Sequence, residues 1–353
     1  MWLKNYKKKR LYCFVFIIML FCANTRGQSA TVPQTITWSL LKVDSLLYIK
    51  NIQEIKLLHD ELYITYEFPG GYGDQLLKSY SINWETRTMH FTKEYYKRKN
   101  GTYVFSVPIT FWDENGKQFV TERSHPYIYE VRKDTLRRNG EAIISSKSEC
   151  PYELVLEVKN PFIFSKGKYF FVGRQEKNGH QAIFSSTTYG DQQKIEELYK
   201  IIYDKRYPSW LVNHGMFTYC PSEQKGAFAY QLFPAVDFFN FSDGTTKIFK
   251  KGLNTFNPKT INEGDIWESN PIHFKYITSN KKYVYCLYWG LSVQRASQKE
   301  KQHTFRAEIL ILNWDGEIYK TFRTTRKITA MAVSEDGKHL IGYDGKNFLM
   351  TTI

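Results

Sequence analysis

Cysteine is scarce in this chain, and its placement excludes several classes of protein. Of five cysteines in 353 residues, two fall in the first 22 positions, leaving Cys150, Cys220 and Cys286. Three thiols with no CxxC pair and no metal-like spacing allow at most one disulfide and offer no zinc motif. Catalytic signatures are missing as well. There is no GxSxG nucleophile elbow, no HExxH zinc helix, no Walker loop and no GxGxxG fingerprint, and the eight histidines are scattered. Long apolar runs are absent too. The longest, residues 11–23, is too short to span a bilayer. Nor does the composition read as disordered, with 42% hydrophobic residues against 24% charged.

What the chain has in excess is aromatics. Phe, Tyr and Trp make up 17% of residues, and such side chains favour the pleated, half-buried surfaces of β-sheets.

The apolar run at 11–23 follows a basic cluster (Lys4, Lys7, Lys8, Lys9 and Arg10) and precedes small residues. That order is how a secretory signal peptide reads. Cleavage after Gly27 leaves Gln28 first. A lipoprotein would use Cys22 instead, although Phe21 stands where that processing wants a small residue, and an uncleaved anchor is the third reading. The expected organisation is a signal peptide at 1–27 and one domain at 28–353, exported to the periplasm or cell envelope. Membrane contact is expected only if Cys22 is lipidated. Removing the leader lowers the formal charge from +14 to +8, which favours anionic partners weakly. Nucleic acid is not expected as a partner outside the cell.

A repeat runs through the rest: an apolar strand, a tight polar turn, and a second strand rich in aromatics. Copies begin at 55–58, 107–112, 161–164, 210–212, 273–277 and 328–333. Their turns are marked by His59, Asn115, Lys166, His214, Asn280 and Asp336, at gaps of 56, 51, 48, 66 and 56 residues. Outer hairpins follow several copies, at 79–91, 236–249 and 308–322, the last turning at Asp315-Gly316. Four strands per unit and six units predict an all-β fold, a six-bladed β-propeller. The sixth unit is one strand short. Strand-like segments at 35–41 and 45–49 would supply it, closing the ring with an N-terminal strand. Two stretches fit less well. Residues 191–203 carry a helical spacing and read either as an inserted helix or as a poorly patterned outer strand. Residues 251–268 read as a long loop.

The late hairpin, residues 309–316, and the strand and turn after it, residues 328–338, resemble the TolB-like six-bladed propeller proteins exported by Bacteroidota, many of them lipoproteins. The resemblance covers the mature chain and implies fold and envelope location. It brings no catalytic residues with it.

In such a fold the loops joining second and third strands gather on one face. Here they form a basic, partly aromatic rim, with Tyr72, Arg123, His125, Arg174, His180, Trp289 and Arg295 as candidate ligand-binding residues. A rim of that kind suits an anionic ligand, an acidic glycan or a peptide carboxylate. No catalytic and no metal-binding residues stand out, and no cofactor is expected. Axial calcium is the one ion the fold could take without a linear motif. The leading expectation is a non-enzymatic ligand-binding or scaffolding propeller, its partner an envelope protein or glycan. The alternative is a hydrolase or lyase acting on glycans or lactones through an axial metal site.

Overall fold

The computed structural model describes residues 33–44, 52–66, 75–96, 98–99, 102–103, 108–113, 115, 117–122, 125–132, 143–149, 153–154, 162–165, 168–174, 180–189, 192–207, 212–220 and 222–353. The leader at 1–27 with Cys22, and also Tyr72, Arg123 and Cys150, lie outside the described residues. The chain divides into two units, Met1–Gln34 and Thr35–Ile353, and everything below concerns the second.

Among the described residues the strands form six sheets of four or five strands and one two-stranded ribbon. We number the sheets by where their hairpins fall in the chain. Each begins with a hairpin: Ile52–Leu58 with Glu61–Tyr66, Pro108–Trp112 with Gln118–Glu122, Phe162–Ser165 with Lys168–Arg174, Gly215–Cys220 with Lys225–Tyr230, Ile272–Ser279 with Tyr283–Leu291, and Ala330–Val333 with His339–Tyr343. The first strands are neighbours across sheets. Gly215–Cys220 touches Ile272–Ser279, which touches Ala330–Val333, which in turn touches Ile52–Leu58.

Where a first strand is packed on both faces by adjacent sheets, it is apolar on both. Ala330–Val333 is buried at every position, whereas four of five residues in the outermost strand Thr246–Lys250 are exposed. Sheets stacked about 10 Å apart leave space that only large side chains fill. Tyr80, Tyr230, Tyr276, Tyr285, Phe171, Phe184, Phe217 and Phe228 fill it completely buried, which accounts for the aromatic excess. Elsewhere the packing is tight enough to demand glycine. A Cβ on Gly215 would lie 2.4 Å from the Ala229 carbonyl oxygen and 2.5 Å from the Phe228 ring.

Near the N-terminus, residues 36–43 run along the outer edges of three sheets. The Ile36 amide donates to Arg323 O of sheet five at 2.9 Å. Ser39–Leu40 pairs antiparallel with Phe348–Thr352 of sheet six, and Lys42–Val43 pairs parallel with Thr88–Tyr96 of sheet one. Leu41 is buried between them.

The structure differs from the sequence reading in three places, and it decides the stretch read as either an inserted helix or an outer strand in favour of the strand. The fourth hairpin turns between Cys220 and Lys225, at 222–224, and not at 213–215; residues 213–214 lead into its first strand. Moving that marker to Glu223 replaces the uneven gaps of 48 and 66 with 57 on either side. Residues 192–200 form the outer strand Gln192–Lys200, paired with Gln181–Tyr189. The apolar residues that gave the helical spacing share no face: Ile195 is half-buried, Leu198 exposed, and Ile201 buried beyond the strand's end, with a register shift at Ile183/Phe184. The expected loop at 251–268 holds two short helices, Lys259–Glu263 and Ile266–Ser269. The expected loop after Trp289 holds the helix Val293–Lys301, whose Arg295 amide donates to the Ser292 hydroxyl at 3.3 Å.

Candidate functional site at the hairpin-turn end

First strands from five sheets end around one cavity of about 490 Å³. It is lined by residues 54–58, 110–113, 217–220, 222, 276–281, 333 and 335, so it opens at the end of the sheets where the first hairpins turn. The rim inferred from sequence lies at the opposite end of the same strands.

Two charged side chains stand on Ile52–Leu58, and both line this cavity. Glu54 and Lys56 alternate with buried Ile55 and Leu57, so they share the face turned away from the core. The Lys56 ammonium sits 4.8 Å from the centroid of the Trp112 ring. Burial pushes its amine below the usual lysine range, and the Glu54 charge pulls the other way. Among the described residues no carboxylate oxygen comes within 4.0 Å of its Nζ, so the cation has no salt-bridge partner. Trp112 is buried and edge-on to Tyr63 at 5.3 Å, and its indole N–H has no acceptor among the described residues.

Hydroxyls complete the lining. Thr110 shares a 2.7 Å hydrogen bond with Thr65, and Thr218 one of 2.6 Å with Ser279. Cys220 is a buried free thiol with Sγ 3.4 Å from the Ser222 hydroxyl. Tyr276 is fully buried, and desolvation, with Glu54 nearby, raises its phenol far above the usual range. The cavity therefore offers two lysines (Lys56 and Lys281), three carboxylates (Glu54, Asp113 and Glu335), several hydroxyls and an aromatic wall.

A second cavity, about 450 Å³, shares Leu57 and Glu335 with the first and lies between sheets one and six. Its floor is the turn His59-Asp60, with φ of 47° and 59°, the left-handed pair of a tight hairpin. The Trp84 indole N–H donates to Asp60 Oδ1 at 2.8 Å, and its ring stacks on His339 with centroids 4.5 Å apart and planes at 11°. The His59 amide donates to Glu335 Oε1 at 3.3 Å. Hydrogen bonds from the Ser334 hydroxyl and the Lys338 amide hold the Asp336 carboxyl down to about 2, so it is ionised throughout the physiological range.

The rim residues are placed separately. Arg174 ends its strand and His180 precedes the next, at the tip of one hairpin in sheet three, with His180 Nε2 3.2 Å from Glu197 Oε2. His125 begins a strand, and its side chain lies outside the described residues. Trp289 is buried. Its indole N–H donates to Ile328 O at 3.2 Å and Phe305 meets its ring edge-on, so it packs the core. Arg295 is exposed on the helix after it. Lys56 and Trp112 escaped the sequence reading, which treated the first strands only as core. The signal was there: two charges spaced by two in IQEIKLL, on a strand whose position in the repeat made it innermost.

No protein-family model and no curated protein matches the chain. Solved structures do. A member of the DUF4221 family from Bacteroides vulgatus superposes with a TM-score of 0.54 at 12% identity, over 91% of this chain and 96% of that one. A virginiamycin B lyase from Staphylococcus aureus gives 0.45 at 16% identity, covering 90% and 88%. A gluconolactonase from Xanthomonas campestris gives 0.42 at 9%, covering 91% and 97%. The fold is a β-propeller. At these identities the likeness concerns the fold alone. Among the described residues no three His, Cys, Asp or Glu side chains come together as a metal centre needs, and no helix is long and apolar enough to cross a membrane.

Proposed function

We propose that this propeller binds a small carboxylated sugar in the cavity at its hairpin-turn end, without turning it over. The observation that carries the reading is Lys56. A half-buried ammonium with no direct salt bridge among the described residues has lost hydration with only the more distant Glu54 charge and the Trp112 face to offset it. An anionic ligand supplies a direct counter-ion. The hydroxyls of Thr110, Thr218 and Ser279 and the face of Trp112 suit the remainder of a sugar ring, and a volume near 490 Å³ lies in the range of ligand pockets.

Six sheets, each opening on a hairpin that contacts the next, support a six-bladed ring. The pairing of Ser39–Leu40 with Phe348–Thr352 supports closure by the N-terminal segment. The basic-then-apolar leader supports export to the cell envelope. The hairpin residues 309–316 and 328–338 remain the ground for grouping the chain with TolB-like propellers. The reading requires no cofactor.

The test is calorimetric titration with glucuronate and with glucose. Glucuronate is expected to bind and glucose to bind far more weakly. Lys56→Gln is expected to weaken glucuronate about 10- to 100-fold, the range of a charge-assisted hydrogen bond. Equal binding of the two sugars, or an unaltered affinity in the variant, would refute the proposal.

A further inference from the structure

The cavity at Lys56 adjoins the one at Trp84, since Leu57 and Glu335 line both. Resting on the reading above, we infer that the ligand is an extended saccharide of which one unit carries a carboxylate and its neighbour is uncharged, the neighbour lying against the Trp84–His339 ledge.

The ledge is built before any ligand arrives. Trp84 is fixed by its hydrogen bond to Asp60 and by its stack on His339, so little freedom is lost when a ring settles on it. An indole face matches the C–H face of a pyranose, while Asp60, Glu335 and His59 present acceptors and a donor to its hydroxyls. The charge of this second cavity differs from that of the first. Asp60, Glu335 and Asp336 line it, and no lysine or arginine does. A second carboxylate here would meet three like charges, offset only where Lys338 lies 3.4 Å from Asp336 and His59 3.1 Å from Glu335. The two halves therefore ask for different units: the anion goes to Lys56 and the neutral ring to Trp84. A peptide fits the second cavity less well. Extended peptides bind by adding a strand to an open sheet edge, and this cavity is walled mainly by turn residues such as His59, Asp60, Trp84 and Glu335.

Three probes decide it: glucuronate, the β1,4-linked glucuronyl-glucose disaccharide, and the corresponding disaccharide of two glucuronates. Calorimetry on the folded protein should give glucuronyl-glucose about tenfold tighter than glucuronate, the gain of one good aromatic contact. The diuronide should gain nothing. Trp84→Ala should erase the tenfold gain while leaving glucuronate affinity unaltered, and His339→Ala should erase part of it. Melting curves establish that each variant is folded. Equal affinities for glucuronate and glucuronyl-glucose, a gain that survives Trp84→Ala, or a diuronide that binds tightest overturns the second unit and leaves the Lys56 reading standing. If glucuronate itself fails to bind, the Lys56 reading falls and takes this inference with it.

Discussion

Asp237 lies buried in sheet four, and the carboxylate is the part of the core whose removal should strengthen the fold. Desolvation pushes its carboxyl up to about 6, outweighing the hydrogen bonds from Tyr230 and Tyr199 and the pull of Lys250, all of which favour the ionised form. Tyr230 donates to Oδ2 at 2.6 Å and Tyr199, from sheet three, at 3.3 Å, while Oδ1 has no hydrogen-bond partner among the described residues. Set against the value of 3.8 for an unstrained carboxyl, the shift is worth about 3 kcal/mol. The direction follows from linkage. Below pH 3.8 the group is protonated whether folded or not and costs nothing. As pH rises to 6 the unfolded chain gives up its proton first, and stability falls by that amount. Asn at this position keeps an oxygen for the tyrosines and carries no charge. Asp237→Asn should match the wild type near pH 4 and exceed it by about 1–3 kcal/mol at pH 7.5, the lower figure allowing for an unpaired amide. Urea denaturation of both proteins across pH 4–7.5 measures this, and the difference between the two curves is the quantity to read. The wild-type curve alone would mislead, because His273 titrates in the opposite sense. A difference that does not vary with pH, or a variant weaker than wild type at pH 7.5, would refute the argument that burial dominates this carboxylate.

His273 is buried, and desolvation holds its imidazole down to about 4. It favours folding at neutral pH and costs up to about 3 kcal/mol as pH falls from 6.5 through 4, which NMR titration should show as a ring that titrates near 4. Gly215→Ala should destabilise by about 1–3 kcal/mol or more in urea, since its Cβ has nowhere to go between Ala229 O and Phe228. Leu41→Ala should cost about 2–5 kcal/mol, measured the same way, because Leu41 is buried under the edges it joins. A cost below about 0.5 kcal/mol would mean that the segment lies on the sheets without holding them.

The repeat was legible because each hairpin turn carries its own chemistry. Asn280, Asp336 and Gly316 mark turns that the structure contains, with Gly316 and Gly337 at φ of 79° and 75°. The misplaced fourth turn shows the limit of this. Asn213-His214-Gly215 has the composition of a turn, yet Gly215 is there because Phe228 and Ala229 crowd it, a tertiary reason that sequence cannot display. Helix Val293–Lys301 hid for another cause: it is polar almost throughout, with only Ala296 buried, and gives no apolar stripe. The site was missed because five strands far apart in the chain supply it. Lys56 and Trp112 are 56 positions apart, and only the packing of sheet one on sheet two sets one above the other. The rim was read from local charge. The cavity depends on where strands end relative to one another.

The segment at 36–43 also constrains the order in which the molecule can be made. Its partners in sheets five and six lie at the far end of the chain: the Trp38 indole bonds Thr324 across 286 positions, and Ser39 faces Met350. Contacts of such separation form late and slowly, since the intervening chain must first be brought into register. A chain made from its N-terminus therefore holds these residues without their distant partners until the last sheet is complete. During that interval residues 36–40 lack their distant partners and are open to pairing with other chains. Chaperones that shield extended segments should matter most for this protein in that interval, and far less once residues 348–352 have found Ser39 and Leu40.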